Sequence, residues 1–323
     1  MIILQRLSTS DGQPSRQVIA LFGMGLIGRS ITASVTRRLP LNIRELPFSW
    51  GNPDQRSVDA RAIEKCILSS SGPNMREQAP RLGRIDFVWA AGQAGFGATQ
   101  PDVERELDAF KDVVELSKLI QRRVPQVHHS FHLLSSAGGL FEGQCQVSST
   151  TAPHPRRPYG MLKLEQERHL IASCPGADKL IYRPTSVYGF SGSGLRVGLV
   201  NALVQNAIRH QVSRIYGEPH TLRDYVLAAD IGSFVTERLL TASRGSETFL
   251  LASGKPSSMF EVLRKVEHAI GRRLYLQFNS EPSNASHMSF CIGALPQGWR
   301  PTDLDTGVRQ TALQLLGSFA RRR

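Results

Sequence analysis

The chain has 323 residues, 41% of them hydrophobic, which is enough for one or two globular domains and includes no apolar run long enough to cross a bilayer. Its net charge of +12 would suit nucleic acid, but the basic residues are scattered, so a small anionic substrate or a solvated basic surface explains the charge better, and neither a nucleic-acid nor a membrane partner is predicted. The four cysteines are widely spaced, which indicates neither a disulfide framework nor a zinc site, and the first 16 residues do not resemble a signal peptide, so we expect a cytoplasmic protein.

A glycine-rich turn follows the first predicted strand. Residues 18–22 form a short apolar run that predicts a buried strand, and the sequence GMGLIG then leads into a helix with apolar residues at helical spacing. Glycines permit a tight turn and close approach of the backbone to a pyrophosphate, while a helix N-terminus offers unpaired N–H groups. The pattern therefore predicts a dinucleotide site that contains Gly23, Gly25, Leu26, Ile27 and Gly28.

The acidic residue that usually follows about 20 residues later and binds the adenosine ribose is not evident. Residues 48–50, Phe-Ser-Trp, occupy that region, and Glu45 or Asp54 would serve only if the strand ended elsewhere. A serine such as Ser49 with Arg56 nearby would suit a 2′-phosphate. The sequence therefore leaves the cofactor open between NAD and NADP.

The next predicted strand, residues 85–89, ends in Ala90-Ala91-Gly92. Small residues at the carboxyl end of a strand let a ribose or a flat ring lie against the backbone, although a tight turn explains them equally well. His128, His129 and His132 begin the following strand, where alternation puts them on different faces with no carboxylate nearby. We therefore predict no metal site.

The segment from residue 133 to residue 168 carries the clearest chemistry. A predicted strand ends at Ser136, and Tyr159 and Lys163 stand four residues apart on a predicted helix, so their side chains share a face. An ammonium beside a phenol lowers the phenol's pKa, and a serine hydroxyl nearby can hold a substrate alcohol or carbonyl. Together the three groups can move a proton on or off an alcohol oxygen, whereas a Tyr-x-x-x-Lys pair alone is more often a surface pair.

Strands and helices alternate over the first 190 residues, which predicts a parallel sheet covered on both faces. Beyond that point the pattern predicts a helix over residues 197–208, a strand over residues 248–252 and a last helix from residue 304. Asp230 is predicted to cap the N-terminus of another helix. Ser258-x-x-Glu261 predicts a capping box for a helix that stops at Gly271.

Seven segments taken together resemble the extended short-chain dehydrogenases/reductases, and among them the NAD-dependent epimerase/dehydratase family that acts on nucleotide sugars. They occur in that family's order over residues 17–316: GMGLIG, FVWAAG, LLSSAGG, PYGMLK, YRPTSVYG, LRDYVLAADI and GWRPTDLDTGVRQT. The first glycine of the family's usual pattern corresponds to Phe22 here. The resemblance implies an α/β fold with a Rossmann-type doubly wound parallel sheet over residues 1–187, to which residues 225–255 return, and a smaller substrate-binding domain formed mainly by residues 188–323.

The resemblance also implies roles for single residues. Tyr159 corresponds to the acid/base that takes and returns the sugar hydroxyl proton, Lys163 to the group that holds the nicotinamide ribose, and Ser136 to the hydrogen-bond partner of the reacting oxygen. Arg223 corresponds to the arginine that binds the nucleotide diphosphate, a role that suits a guanidinium. The other implied positions are Ala90, Ala91, Gly92 and Pro184 at the cofactor and Ser186 at the substrate.

The residues after Ser136 narrow the implied reaction. Family dehydratases commonly have an Asp-Glu pair there, whereas Ala137 and Gly138 follow here, so dehydration is disfavoured. What remains is epimerisation of a nucleotide sugar through transient oxidation at a carbinol, or one-way reduction by a nucleotide-sugar ketoreductase. A non-catalytic NAD(P)-binding sensor of the same fold is the alternative outside enzymes. The resemblance further implies a homodimer.

Overall fold

The computed structural model describes residues 1–10, 13–69, 80–92, 94–95, 97–174, 176–190, 198–241, 245–279 and 286–320. The strands of the main sheet are β1 (Ile2–Ser10), β2 (Gln13–Phe22), β3 (Asn42–Glu45), β4 (Arg81–Trp89), β5 (His128–Leu134), β6 (Asp178–Pro184) and β11 (Glu247–Leu251), numbered in chain order. Their order across the sheet is β11-β6-β5-β4-β2-β1-β3. The strands from β11 to β2 are parallel, which confirms the predicted parallel sheet.

Strand β1 is antiparallel to both of its neighbours, and it lies between β2 and β3. Its first half is apolar, and Ile2, Ile3 and Leu4 are all buried because the strand lies inside the sheet rather than at its edge. In a doubly wound sheet the strand after the first helix normally lies directly beside the glycine-turn strand. Here that strand, β3, is one strand farther away, about 4.8 Å. Strand β1 was not predicted from the sequence.

Helices cover both faces of the sheet. They are α1 (Leu26–Arg38), α2 (Pro53–Leu68), α3 (Gln100–Arg123), α4 (Ala137–Leu140), α5 (Pro158–Ser173), α6 (Leu199–Ile208), α7 (Ala228–Leu240), α8 (Met259–Ile270) and α9 (Leu304–Ala320). Alternating strand residues point to opposite faces. Phe87 and Trp89 therefore pack in the core with α2, α3 and α5, while Val88, between them, packs in the core with α1 and α7.

The C-terminal part has a core of its own, built by α6, α8 and α9. It contains three two-stranded pairs: β7 (Ser186–Tyr188) with β10 (Tyr225–Leu227), β8 (Ser213–Tyr216) with β13 (Leu276–Asn279), and β9 (Leu222–Arg223) with β12 (Ser257–Ser258). Within this part of the chain, α7 packs on a face of the main sheet and β11 pairs with β6 at its edge. We therefore propose the division into residues 1–187 with 225–255, and mainly 188–323, as two domains.

The sequence signals for helix ends are correct at α8 and wrong at α7. The predicted capping box is confirmed, since Ser258 and Glu261 bond reciprocally at the start of α8, and Gly271 ends that helix with φ +64°. The prediction that Asp230 caps a helix is wrong, because α7 begins at Ala228 and the cap residue is Leu227. The Asp230 carboxylate instead accepts hydrogen bonds from the N–H and hydroxyl of Thr302.

Candidate active site

The glycine turn lies at the carboxyl end of β2, where it packs against the end of β4. Gly23 has φ +96°, and a Cβ there would overlap the backbone of Ala91. A Cβ on Gly28 would overlap the carbonyl oxygen of Gly23. The Ala90 N–H donates to the Phe22 carbonyl at 2.8 Å, which fixes the two strand ends side by side. The turn and the small residues that follow β4 are therefore brought together as predicted.

Gly25 differs from the other two glycines, because a Cβ on it would meet no atom within 4 Å in the part of the chain that the structure describes. It is the N-cap of α1, no side chain caps that helix, and its first turn contains no acidic residue. The backbone therefore presents open space in front of unpaired N–H groups and a partial positive charge, which fits a dinucleotide pyrophosphate. Leu26 and Ile27 form the first turn of α1 behind this space.

Ser49 and Arg56, the pair considered for a 2′-phosphate, are engaged with protein groups. The N–H and hydroxyl of Ser49 donate to the Asp59 carboxylate at 2.8 and 2.7 Å, and these hydrogen bonds lower the pKa of that carboxyl. Arg56 is buried and donates to the Asp112 carboxylate at 2.5 Å and to the Trp50 carbonyl at 3.1 Å. Both side chains are thus bonded to protein groups, and a carboxylate lies beside Ser49.

An aromatic cluster fills the region beside the glycine turn. Phe22, Phe48, Trp50 and Trp89 contact one another in sequence, with ring centroids 5.0, 4.6 and 5.7 Å apart. Edge-to-face contacts of this kind are favourable beyond the area that they bury. Phe48 and Trp50, which lie where an acidic ribose ligand was expected, therefore pack against the end of the sheet. This packing role was not predicted.

The Tyr159 ring is positioned by a close contact between α4 and α5. The Ser136 hydroxyl caps α4 by accepting from the Gly139 N–H at 3.1 Å. A Cβ on Gly139 would lie 3.0 Å from two carbons of the Tyr159 ring, and a Cβ on Gly160 would overlap the Gly139 carbonyl oxygen. Gly139 thus connects the turn that Ser136 caps with the ring of Tyr159. The neighbouring Ser135 hydroxyl is buried with no hydrogen-bond partner among the described residues.

Lys163 lies one helical turn after Tyr159, with its Nζ 5.8 Å from the centroid of the phenol ring. It is buried and donates to Glu106 Oε1 at 2.9 Å and to Gln166 Oε1 at 3.0 Å. Burial by itself lowers the pKa of Lys163, but Glu106, together with Tyr159 and Glu167, outweighs burial, and the net shift is upward. Glu106 was not predicted as a site residue. Its place on the apolar face of α3, between Val103 and Phe110, was the signal that could have found it.

Two of the predicted substrate residues, Ser186 and Arg223, lie on β7 and β9. Ser186 is in β7, and its N–H donates to the Asp224 carbonyl at 3.0 Å. Arg223 is half-buried, and its guanidinium donates to the Leu222 carbonyl at 3.2 Å and to the Ser286 carbonyl. Burial lowers the pKa of Arg223, while Tyr225 and Glu142 oppose that shift. Pro184 is the last residue of β6, two residues before Ser186.

Asp224 fixes this region and was not predicted as a site residue. It is fully buried, and its carboxylate accepts hydrogen bonds from the Thr185 hydroxyl at 2.8 Å, the Ser253 N–H and hydroxyl, both at 2.8 Å, and the Gly254 N–H at 2.9 Å. Burial raises the pKa of Asp224, and these bonds oppose the shift. Asp224 therefore joins β6, β11 and the segment that carries Arg223.

The three histidines of β5 bind to protein groups. The His128 ring lies 2.8 Å from the Asp178 carboxylate, the His129 ring 3.2 Å from the Val124 carbonyl, and the His132 ring 2.9 Å from the Tyr182 hydroxyl. Over the described part of the chain, no three His, Cys, Asp or Glu side chains are grouped as metal ligands would be. No helix in the same part of the chain has both the length and the apolar character of a membrane span.

Comparison with known proteins gives a consistent result. Residues 25–252 match the NAD dependent epimerase/dehydratase family. An uncharacterized UDP-glucose epimerase of Bacillus subtilis (strain 168), YtcB, is 25% identical over 183 residues, which are 54% of this chain and 57% of that protein. The aligned part of this chain thus spans little more than half the length of that relative.

Solved structures share the fold at low identity. UDP-glucose 4-epimerase of Thermus thermophilus, in complex with NAD, superposes with a TM-score of 0.74 at 18% identity, covering 94% of this chain and 99% of the other. MoeE5 in complex with UDP-glucose and NAD gives 0.73 at 18% identity over 93% and 99%. RMD from Pseudomonas aeruginosa, complexed with NADPH, gives 0.68 at 17% identity over 95% and 99%. These likenesses establish the Rossmann-type fold.

Proposed function

Because this chain belongs to the NAD-dependent epimerase/dehydratase family, we propose that it is an NAD(P)-dependent epimerase that acts on a nucleotide sugar through transient oxidation at a carbinol. The observation that carries the proposal is the placement of Tyr159. Its ring packs against Gly139, in the turn that Ser136 caps, and the Lys163 ammonium lies 5.8 Å from the ring centroid. A phenol, a hydroxyl and an ammonium so arranged can handle the proton of a sugar hydroxyl.

The cofactor would be held by the turn of Gly23, Gly25 and Gly28, by the backbone of residues 90–92 and by Lys163, with Pro184 at the nicotinamide side. When bound, the nicotinamide supplies hydride transfer. In our proposal Tyr159 takes the proton from the sugar hydroxyl and later returns it. Ser136 donates a hydrogen bond to the same oxygen, and Lys163 stabilises negative charge near the phenol oxygen.

A nucleotide diphosphate fits the other half of the proposed site. Arg223 can bind phosphate oxygens through its planar guanidinium, and Asp224 holds the segment that carries it. Ser186 is on β7, which pairs with β10, and it lies opposite Tyr225. Ser186 would contact the sugar or the phosphate. UDP-glucose is bound by a protein of similar fold, which makes it the first substrate to test.

A nucleotide-sugar ketoreductase remains the second candidate, because reduction uses the same three side chains and one structural neighbour is complexed with NADPH. Dehydration stays disfavoured. Ala137 and Gly138 occupy the first turn of α4, and the nearby Glu142 carboxylate accepts from Arg157 Nε at 2.8 Å. A carboxylate that accepts a hydrogen bond from an arginine is a poor base for an elimination.

We also propose a cytoplasmic homodimer that associates through α3 and α5. These helices pack side by side on one face of the sheet, and they leave apolar side chains exposed at Leu119, Met161 and Ile171. Exposed apolar side chains grouped on neighbouring helices favour association. Sedimentation of the wild type and of Ile171→Glu tests the dimer. A monomeric wild type would contradict the dimer, and a variant with the same dimer mass as the wild type would contradict association through α3 and α5.

The test of the function is turnover of UDP-glucose by the wild type, Tyr159→Phe and the control Tyr275→Phe, a substitution of an exposed tyrosine. We expect Tyr159→Phe to lower the rate by at least about 10²-fold, the low end of the usual contribution of a general acid–base, and the control to be unchanged. Epimerisation should need no added reductant, whereas a ketoreductase should consume NAD(P)H. Full activity in Tyr159→Phe would refute the proposal, and NAD(P) binding without turnover of any tested sugar would favour a sensor.

A further inference from the structure

We propose that Glu106 is a positioning residue that holds Lys163 in place and in its charged form beneath the cofactor-binding loop. The proposal rests on the proposed function in one respect, namely that Lys163 contacts the bound cofactor. Glu106 lies on α3, Lys163 lies on α5, and the loop after β4 contributes Gly92 and Ala94. One carboxylate therefore connects three parts of the chain that would surround the nicotinamide ribose.

The geometry supports a connecting role. Glu106 Oε1 accepts from Lys163 Nζ at 2.9 Å and from Gln166 Nε2 at 3.2 Å, while Oε2 accepts from the Ala94 N–H at 2.9 Å. The side chains of Lys163 and Glu106 are only 4% and 5% exposed. Both carboxylate oxygens are thus used, and a loss of Glu106 would release the lysine and the loop together.

Lys163 keeps a donor for a ligand in this arrangement. Its ammonium has three N–H groups, and Glu106 and Gln166 accept from two of them. Gly92 lies over the pair, and a Cβ there would be 3.7 Å from both carboxylate oxygens and 3.8 Å from Nζ. Among the described residues no third acceptor faces the ammonium, so the third N–H is available to a hydroxyl that approaches beside Gly92, such as a ribose hydroxyl.

The charge of Lys163 depends on Glu106. Burial favours the neutral amine and lowers the pKa of Lys163, and the Glu106 carboxylate is the main group that raises it. Tyr159 and Glu167, on the same helix, also favour the charged form, but Glu167 is bonded to Arg183 on β6 at 2.6 and 2.9 Å. Without Glu106, the largest contribution that opposes burial would be lost, and Lys163 would lose its proton at a lower pH.

The test compares NAD binding by the wild type and by Glu106→Gln over a range of pH, by calorimetry. Glutamine keeps the shape but removes the charge. We expect its affinity to be about tenfold weaker near pH 7, as for loss of a charged hydrogen bond, and to fall further between about pH 8 and about pH 10, while the wild type changes little. Glu106→Asp should restore the wild-type pH dependence even if its affinity is reduced. Glu115→Gln, on the exposed side of α3, is the control and should behave as the wild type.

A role that is merely structural would weaken binding equally at every pH, and that result, or an unchanged affinity, would overturn the proposal. A double-mutant cycle of unfolding free energies with Glu106→Gln and Lys163→Met gives a readout that needs no cofactor. We expect a coupling of at least about fivefold in the folding equilibrium, in the range of contacting residues. Additive effects of the two substitutions would overturn the proposal even if the epimerase function were correct. If the cycle shows strong coupling but the wild type binds neither NAD nor NADP, only the proposed function is refuted.

Discussion

Gly139 and Gly160 face each other where α4 packs on α5, and neither has room for a side chain. A Cβ on Gly160 would overlap the Gly139 carbonyl oxygen, and one on Gly139 would press on the Tyr159 ring at 3.0 Å. Overlap with a backbone atom cannot be relieved by rotating a side chain. The position of the Tyr159 phenol is therefore set by two glycines that have no chemistry of their own.

The first prediction concerns Gly160→Ala. The added methyl should push α5 away from α4 and lower the free energy of unfolding by about 1–3 kcal/mol, as overpacking usually does. Turnover should fall by more than the loss of folded protein explains, because the Tyr159 ring moves with the helix. Gly317→Ala in α9 is the matched control, since its Cβ would meet no atom of the described residues within 4 Å and alanine favours helix by up to about 1 kcal/mol. Chemical denaturation and a turnover assay measure the two effects, and a fully active Gly160→Ala would contradict this view of the contact.

The second prediction separates two glycines of the cofactor turn. Gly25→Ala should leave the free energy of unfolding within about 0.5 kcal/mol of the wild type, because its methyl enters open space, yet NAD binding should weaken by at least about tenfold. Gly28→Ala should lose both stability and binding, because its methyl overlaps the Gly23 carbonyl. Thermal unfolding and calorimetry with NAD provide the measurements. Normal NAD affinity in Gly25→Ala would show that the pyrophosphate lies elsewhere.

The third prediction concerns Arg56. Since Arg56 is buried and bonded to Asp112 and to the Trp50 carbonyl, Arg56→Met should lower the free energy of unfolding by about 2 kcal/mol. The ratio of the NAD and NADP dissociation constants should not change. Arg61→Met, at an exposed position of the same helix, should affect neither quantity. A selective loss of NADP affinity in Arg56→Met would mean that Arg56 reaches a 2′-phosphate after all.

The fourth prediction is a pH dependence of stability. Burial lowers the pKa of His132 below its usual value of about 6.5, so the unfolded chain takes up a proton there more readily than the folded protein does. The free energy of unfolding should therefore fall as the pH drops below about 6.5, by up to about 1.4 kcal/mol per pH unit for one such group. His132→Gln should flatten this part of the curve, as measured by urea denaturation, whereas His154→Gln at an exposed position should not.

The histidine lies in a buried network that bears on the same prediction. His132 contacts Ser130 at 3.0 Å, the Tyr182 hydroxyl at 2.9 Å and the Asp86 carboxylate at 3.4 Å. Burial by itself would raise the pKa of Asp86, but the hydrogen bonds and the nearby Arg84 outweigh it, so this carboxyl stays ionised. Burial also lowers the pKa of His129 and His169, so a smaller slope should remain in His132→Gln. An unchanged slope would mean that His132 is protonated in the folded protein.

Local patterns predicted the fold class and the tight glycine turn after β2 well, because both depend on short-range constraints, while its binding of a cofactor stays a prediction. Gly23 and Gly28 are required by contacts within a few residues and with one neighbouring strand. The capping box at Ser258 and Glu261 is likewise contained in four residues. The roles given to Ser136, Tyr159 and Lys163 stay predictions, although the structure brings the three residues together.

The features that the sequence did not reveal depend on long-range contacts. Strand β1 becomes internal only by pairing with β2 and with β3, and its polar second half masks the apolar Ile2–Leu4. Glu106 is 57 residues from Lys163 in the chain and resembles an ordinary helix-surface glutamate until α3 packs on α5. Asp224 acquires its role only when Thr185 and Ser253 converge on it.

The inserted strand β1 has a practical consequence for truncated variants. Shortening the chain by residues 1–10 would not trim a surface tail but would remove the strand that joins β3 to β2, next to one edge of the sheet. Two rows of backbone N–H and C=O groups, on β2 and on β3, would then lack partners, and such bare rows recruit strands from other chains. Such a variant should precipitate or form intermolecular β-structure, and the short, charged β3 alone would be too small to shield it.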